Sequence, residues 1–546
     1  MVEAEAETRG LRSQDAPAEP SIEFSLTIPA VGTILSWLTS DHEEVSGGVV
    51  AAIGRIGILP VLAAGLVLRL FLATLPGFGV DVGTFAAWSN QLAADGPSNF
   101  YRPDLFTDYA PGYLYILWFI GELNERLQFG PDTYEYILKL PSIVADLASA
   151  YLLYCILDGK SRGVRIGAAA IYLALPFTWF TGAVWGQVDS LLAFFVLLSM
   201  YFIGRDRPVS GAAAFAVAFL VKPQAIAALP FLAFWIMKEH PPRWVPWRDA
   251  LPSLAGVTIL MVSAIVAVWR HLQGDADIAR IALICAIVGA ALTAGGYLVN
   301  SRCASPGEPS PLRERLKRYG PVPSDVWYLA AMVPTAVVLV GIFPFFLFEP
   351  WQFLDQLQFA ASYYHYASFH AYNFWAAWPV SAYLEDDSVK YLGLRYQVWG
   401  FILYGISIAL VLYALRRSQG LPALALGTSL CMLLFYMFVT RMHERYVFAF
   451  FLPFLVACVL YNNRLLWISF AGLAFIHLLN LYHAYAEFND NELRSVRVFN
   501  WLEDPNFWSL GASSVEVLSF LMLLLLVPIA AVTYIIASRP RSSEVT

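Results

Sequence analysis

Long apolar stretches separated by short polar loops occupy the chain from position 54 to position 537. A helix needs roughly 20 apolar residues to cross the hydrocarbon core of a bilayer. The pattern therefore predicts an all-α polytopic membrane protein with about fourteen transmembrane helices. They lie near 54–75, 137–157, 165–182, 188–204, 209–221, 224–237, 251–270, 278–299, 327–348, 397–415, 421–439, 446–461, 465–486 and 515–537. The two short segments around Lys222 predict broken or tilted helices.

The stretch Tyr113–Leu123 is also apolar, but Asn124, Glu125 and Arg126 follow it directly. Counting it as a full span would move the basic loop at 160–165 to the outside. We therefore predict an interfacial or re-entrant helix within a long first extracytoplasmic loop.

Lysine and arginine concentrate in every second loop, which is typical of cytoplasmic loops. This alternation predicts cytoplasmic N- and C-termini. The predicted segments are a partly disordered tail (1–50), a transmembrane module (51–300) whose first external loop is 76–136, a basic linker (301–326), and a second module (327–546) with external loops 349–396 and 487–514. The tail has no basic region followed by an apolar one, so no cleavable signal peptide is expected.

Composition supports the membrane assignment, because only 14% of the residues are charged against about 25% in soluble proteins. The five cysteines are scattered and predict neither a disulfide nor a metal site. No Walker A motif, dinucleotide-binding glycine motif or metal-ligand pattern appears. We expect no cofactor, although a divalent cation is left open, and no nucleic-acid partner.

The first external loop carries the densest candidate chemistry. Asp81 lies at a helix–loop junction, where it could act as a general base or cap a helix beginning near Val82. Trp88 and Tyr109 are candidate sugar-stacking residues. Asp108 precedes a turn sequence and could bind a sugar or cap that turn.

Two further polar breaks lie in predicted external loops. Gln187 and Asp189 occupy a short turn and could bind sugar hydroxyls, supply a second acid or cap a helix. Lys222 precedes Pro223 and could either snorkel or bind a lipid phosphate at the positive end of a half-helix. Gln224 belongs to the same break.

The sequence Arg441-Met442-His443-Glu444-Arg445 joins two apolar spans on the predicted external side. Two arginines are unexpected in a loop on that side. They predict an anion site in which the guanidinium groups clamp a phosphate.

These segments together resemble the GT-C superfamily of polyprenyl-phosphate-sugar-dependent glycosyltransferases. The chain is most similar to bacterial proteins related to GPI mannosyltransferase II and is also similar to the dolichyl-phosphate-glucose glucosyltransferases. The segments that carry the resemblance are Asp81–Trp88, Asp108–Tyr113, Trp185–Ser190, Lys222–Gln224 and Arg441–Arg445. The chain departs from the pattern at Ala110, where relatives often have proline.

The resemblance implies a GT-C fold in which Asp81 is the base of an inverting displacement and polyprenyl phosphate leaves. It places Lys222, Arg441, His443 and Arg445 near that phosphate. The residues expected to contact sugars are Trp88, Asp108, Tyr109, Gln187, Asp189 and Gln224.

We therefore expect a hexosyltransferase of the bacterial plasma membrane that acts on the extracytoplasmic side. We expect the donor to be a polyprenyl-phosphate hexose, with mannose first and glucose close behind, and the pentose arabinose is a third option. The acceptor is a glycan, a glycolipid or a protein. The alternatives are a transporter or flippase of lipid-linked saccharides, which predicts internal repeats and charges near the bilayer midplane, and a non-catalytic envelope partner in which Asp81 can be replaced.

Overall fold

The computed structural model describes residues 47–102, 104–271, 318–322, 324–347, 349–489 and 492–538. The predicted span at 278–299, most of the linker 301–326 and nearly all of the tail 1–50 lie outside these residues. Most of the described residues are helical, as the hydropathy pattern predicts.

The first half of the chain is a series of helices with one short strand. They are α1 (Gly47–Ile56), α2 (Ile58–Leu72), α3 (Gly79–Asp95), α4 (Pro111–Leu127), α5 (Pro131–Ile156), α6 (Arg162–Ala174), α7 (Pro176–Trp179), α8 (Asp189–Gly204), α9 (Pro208–Val221), α10 (Leu229–Glu239), β1 (Arg243–Pro246) and α11 (Trp247–His271), with a π-helix at Phe180–Trp185 and 3-10 helices at Pro97–Asn99 and Pro223–Ala228.

The second half continues in the same way. Its elements are β2 (Tyr319–Val322), α12 (Asp325–Phe346), α13 (Gln352–Ser362), β3 (Lys390–Tyr391), β4 (Leu394–Arg395), α14 (Tyr396–Leu415), α15 (Gly420–Phe438), α16 (Phe451–Tyr461), α17 (Arg464–Phe488), α18 (Arg497–Leu502), α19 (Ser514–Leu524) and α20 (Leu526–Ser538), with 3-10 helices at Phe448–Phe450, Glu492–Ser495 and Phe507–Ser509. β1 pairs antiparallel with β2, and β3 with β4.

The helices define a multi-pass integral membrane protein. Within the described residues, six helical segments are long and apolar enough to cross a membrane, or eight if each of two bent pairs is one span. The six are α5, α12, α14, α15, α17 and the continuous segment Ser514–Ser538. The bent pairs are Val50–Ile56 with α2, at 77°, and α6 with Pro176–Trp185, at 54°. α8 and α9 are apolar but shorter.

The chain is broken at Lys222, where two short apolar segments meet. α9 ends at Val221, and Lys222 has extended backbone angles. The ring of Pro223 disfavours a helical conformation in the residue before it. Pro223–Ala228 then forms a six-residue 3-10 helix before α10 begins. The half-helix expected directly after Pro223 is therefore not an α-helix in its first turns.

Loops predicted to lie on one side of the membrane contact one another. Among the predicted cytoplasmic loops, Arg205 pairs with Asp158 at 2.6 Å and His240 Nε2 lies 3.5 Å from Asp206. The strand β1 of one such loop pairs with β2, at the end of the basic linker. The polar segments predicted to be external gather in a second group, which forms the candidate site.

Close helix contacts place the first external loop against the bundle. Gly121 of α4 lies so near α3 that an added Cβ would stand 2.0 Å from the carbonyl oxygen of Ser89. Gly112, at the start of α4, would place its Cβ 2.5 Å from the backbone of Leu220. Only glycine allows these approaches, and the second brings the loop beside Lys222.

A buried ion pair joins the helices behind the candidate site. Arg69 Nε on α2 donates to Asp146 Oδ2 on α5 at 2.8 Å, and both side chains are fully buried. The other guanidinium nitrogens donate to the Leu173 carbonyl and the Thr178 hydroxyl. Asp146 Oδ1 accepts hydrogen bonds from Tyr172 and Ser190. Partners on both sides satisfy charges that would otherwise be costly to bury.

Arg69→Met should destabilise the protein by about 3–5 kcal/mol, because it leaves the Asp146 carboxylate buried without a cation. Thermal unfolding of purified protein in detergent measures the loss. Arg69→Met combined with Asp146→Leu should recover part of it. Arg126→Ala is the control, because its pair with Glu122 is solvent-exposed and worth little. If Arg69→Met unfolds at the same temperature as the control, the ion pair does not stabilise the fold.

Candidate active site

Asp81 is held by two residues from a distant turn. α3 begins at Gly79, and Asp81 lies inside its first turn rather than at the cap. The capping role considered for a helix starting near Val82 is therefore wrong. Asp81 Oδ2 instead accepts hydrogen bonds from Trp185 Nε1 and Gln187 Nε2, each at 2.7 Å. Both bonds go to one oxygen, so the orientation of the half-buried carboxylate is defined.

An irregular turn brings Trp185 and Gln187 to this position. The π-helix Phe180–Trp185 ends at Gly186, whose φ is 92°. A Cβ at Gly186 would lie 2.9 Å from the Val82 side chain, so both the backbone angle and the space require glycine. The Trp185 carbonyl also accepts a hydrogen bond from the Phe78 N–H at 2.9 Å. The turn thus packs directly on the beginning of α3.

The other end of the Gln187 side chain faces a cation. Gln187 Oε1 accepts hydrogen bonds from Lys222 Nζ at 3.2 Å and from the Tyr109 hydroxyl at 2.9 Å. Lys222 Nζ also donates to Asp189 Oδ1 at 2.9 Å. Lys222 and Asp189 are only 4% and 1% exposed. Snorkelling of Lys222 is therefore wrong, since its ammonium group points into a buried polar network.

Arg445 adds a second cation. Its Nη1 donates to Glu444 Oε1 at 2.6 Å, and both residues are largely buried. Burial lowers the pKa of Arg445, but the Glu444 and Asp81 carboxylates outweigh it and raise the pKa well above its ordinary value. Arg445 therefore stays charged, and its positive charge interacts electrostatically with the Asp81 carboxylate.

Arg441 is engaged in a different contact. Its Nε and Nη2 donate to the two oxygens of Asp387 at 2.6 and 3.3 Å, and its Nη1 donates to the Ala361 carbonyl. This two-point pair connects the segment after α15 to the loop 349–396. The structure thus places Arg441 in the wall of the site with its charge already balanced. Phosphate binding by Arg441 stays a prediction.

His443 lies among aromatic rings. It is 4.7 Å from the ring of Tyr364 and 4.8 Å from that of Phe369. Burial, together with the positive charge of Arg445, lowers the pKa of His443 well below its ordinary value. The imidazole is therefore neutral at neutral pH, so it can donate or accept a hydrogen bond but offers no positive charge to a phosphate.

A cavity of about 270 Å³ lies beside these residues. Its polar lining residues are Asp108, Gln224, Tyr364, Arg441, His443 and Tyr446. Its apolar lining residues include Ile226 and Phe401, which are 42% and 57% exposed. Burial raises the pKa of Asp108, although the Arg445 charge opposes the shift. The cavity thus offers both polar and apolar contacts, which an amphiphilic ligand requires.

Trp88 is not brought to this cavity. It is 2% exposed, its indole N–H donates to the Phe106 carbonyl at 2.9 Å, and its ring packs against Phe85 and Tyr109. Trp88 therefore packs against Tyr109 within the protein interior. Its ring could stack on a sugar only if the Trp88 side chain moved.

Several buried polar atoms around the site have no hydrogen-bond partner within the described part of the chain. They are Tyr113 Oη, Asp189 Oδ2, Gln224 Oε1 and Arg445 Nε. Buried polar groups normally have partners. Their concentration here, with donors and acceptors both present, suits a site that binds a polar ligand.

The structure also adds residues that the sequence pattern did not single out. Asn489 Oδ1 accepts a hydrogen bond from the Gly79 N–H at 3.2 Å, and the Tyr485 hydroxyl donates to the Pro76 carbonyl at 2.7 Å. These residues at the end of α17 thus hold the start of α3. More than 400 positions separate the partners in sequence, so no local pattern could indicate the contacts.

No protein-family model matches the chain, and no curated protein is significantly similar to it. Within the residues that the structure describes, no group of three or more His, Cys, Asp or Glu side chains could hold a metal ion.

His443 predicts a pH dependence of stability. The pKa of His443 in the folded protein lies below the ordinary value of 6.5. Below pH 6.5 the unfolded chain therefore binds a proton at this residue that the folded protein does not bind. The free energy of unfolding should then fall on acidification, by up to about 1.4 kcal/mol per pH unit. Thermal unfolding between about pH 7.5 and pH 5.5 should show a shallower decline for His443→Gln than for wild type.

The matched control is His365→Gln, which changes an exposed histidine of the neighbouring loop. Its pH dependence should follow that of wild type. Equal declines for His443→Gln and wild type would contradict the assignment.

Proposed function

We propose that this chain is an inverting glycosyltransferase of the GT-C type. It transfers a hexose, mannose or glucose, from a polyprenyl-phosphate carrier to the hydroxyl group of a glycan, glycolipid or protein. The reaction takes place on the extracytoplasmic side of a bacterial plasma membrane.

One observation carries the proposal: a single amide connects a carboxylate to a cation. Gln187 donates to Asp81 through Nε2 and accepts from Lys222 through Oε1. A displacement at an anomeric carbon needs a base for the nucleophile and a positive charge for the departing phosphate. Asp81 and Lys222 offer both, at opposite ends of one rigid group.

The proposed reaction has one displacement step. Asp81 removes the proton from the acceptor hydroxyl as its oxygen forms a bond to the anomeric carbon. The bond from that carbon to the phosphate oxygen breaks, and polyprenyl phosphate leaves with the electron pair. Lys222 is paired with Asp189 and Arg445 with Glu444, as Arg441 is with Asp387. In the proposed step, Lys222 and Arg445 also stabilise the negative charge that develops on the phosphate. Because the nucleophile attacks opposite the leaving group, the configuration inverts.

The cavity next to these residues supports an amphiphilic donor. Asp108 and Gln224 in its lining would contact the phosphate and the sugar, and Tyr109 would contact the sugar from its position beside Gln187. Ile226 and Phe401, in the same lining, would contact the first isoprene units. A water-soluble nucleotide sugar has no apolar chain that could make these contacts.

The proposal includes the fold and the orientation that the resemblance implies. About fourteen spans would include the short helices α8, α9, α10 and α16. α3 and α4 would be interfacial helices of the first external loop. The contacts among the basic loops, and separately among the polar segments of the site, support an arrangement with cytoplasmic termini and an external active site.

Asp81→Asn should lower turnover by at least about 10²-fold, because the amide cannot accept the acceptor proton. The measurement uses purified protein in nanodiscs, synthetic polyprenyl-phosphate mannose or glucose, and a membrane-lipid extract as acceptor. Donor consumption is followed with time.

Asp104→Asn is the matched control, because Asp104 is an exposed carboxylate in the same loop. It should keep wild-type turnover. Equal activity of Asp81→Asn and wild type would remove Asp81 from the mechanism. No turnover of either donor by wild type would favour the transporter, and uptake of a lipid-linked saccharide into vesicles would then be measured.

A further inference from the structure

Helix α5 carries a stripe of polar residues that the proposed reaction does not use. Glu135, Lys139, Ser142 and Asp146 are spaced by four, three and four residues, so they share one helical face. Lys139, Ser142 and Asp146 are at most 1% exposed. α5 is also one of the candidate membrane spans. Polar groups at that depth are costly and call for a specific role.

The first part of the stripe holds the segment that leads to Asp81. Lys139 Nζ donates to the carbonyls of Ala73 and Leu75 at 3.3 and 2.6 Å. Glu135 Oε1 pairs with Lys139 at 2.8 Å and accepts the Gly77 N–H at 2.6 Å. The two side chains thereby fix the connection between α2 and α3 just before Asp81.

The second part holds the turn that carries the partners of Asp81. The Ser142 hydroxyl donates to the backbone carbonyl of Gln187 at 2.5 Å. Asp146 accepts a hydrogen bond from Ser190 at 2.7 Å, next to Asp189, which pairs with Lys222. The same helical face therefore contacts both segments of the site.

We infer that the polar face of α5 sets the distance between Asp81 and the Gln187–Lys222 pair. Ser142, Lys139 and Glu135 are thus positioning residues for the reaction. This inference rests on the proposed function. Its physical reason is that a general base must be held within roughly 0.5 Å of its productive position, and a shift of about 1 Å can cost 10²-fold in rate.

Ser142→Ala is the most informative variant, because it removes only the hydroxyl that donates to the Gln187 carbonyl and leaves the Gln187 side chain unchanged. We expect kcat for donor consumption to fall about tenfold, as a small displacement of Gln187 would cause, with the donor KM changed less than about twofold. Ser142→Thr keeps the hydroxyl and should restore most of the rate. The control is Ser199→Ala, which removes another buried serine hydroxyl, from α8 ten positions beyond Asp189, and should leave kcat unchanged.

Lys139→Met and Lys139→Arg form a second pair. The methionine variant should lose kcat in the same way, and arginine should recover part of it by donating to the same carbonyls. If Lys139→Met does not yield folded protein, the Ser142→Ala, Ser142→Thr and Ser199→Ala variants still test the inference.

A double-mutant cycle separates positioning from general stability. If Ser142 acts through Asp81, then Ser142→Ala should lower the residual rate of Asp81→Asn by less than about twofold, because the two losses are not additive. A merely structural role predicts the same tenfold loss in both backgrounds, and that result would overturn the inference. An unchanged kcat, or a change confined to KM, would also overturn it. Absence of donor turnover by wild type would overturn the proposed function and this inference together.

Discussion

The side-chain amide of Gln187 has a carboxylate at one end and an ammonium group at the other. Its N–H group can face only an acceptor and its oxygen only a donor, so Asp81 and Lys222 define its orientation. In a buried position such bonds are stronger than in water, and an unpaired group is more costly. The geometry of the candidate site depends on this one side chain, because Asp81, Lys222 and Tyr109 all contact it.

The chain departs from regular helix at three positions close to this site. Gly186 ends a π-helix, Lys222 is extended before Pro223, and Arg441 has a φ of 66°. A regular α-helix satisfies its own backbone groups and directs its side chains outward. Breaks instead free backbone groups and turn side chains towards one point. Of the three, only Arg441 has an unusual backbone angle for its residue type, and such angles are common at functional sites.

Both halves of the chain build the site. The first half supplies Asp81, Gln187, Asp189 and Lys222, the second supplies Arg445, and residues of both halves line the cavity. The Arg441–Asp387 pair and the Asn489–Gly79 hydrogen bond connect segments that lie far apart in sequence. The loop 349–396 and the end of α17 are therefore parts of the site rather than appendages to it.

The sequence by itself determined that this is a helical, multi-pass membrane protein, and it determined most helix positions and the break at Lys222. These follow from hydropathy and from the conformational limits of proline, which act over a few neighbouring residues. It also selected Asp81, Gln187, Lys222 and Arg445, because polar groups are conspicuous between apolar spans. Only the tertiary structure decided their partners. Asp189 balances Lys222, Asp387 balances Arg441, and Trp88 is buried beneath Tyr109. Each of these outcomes depends on how distant helices pack, and local sequence contains no information about which charged or polar side chain will face another across the bundle.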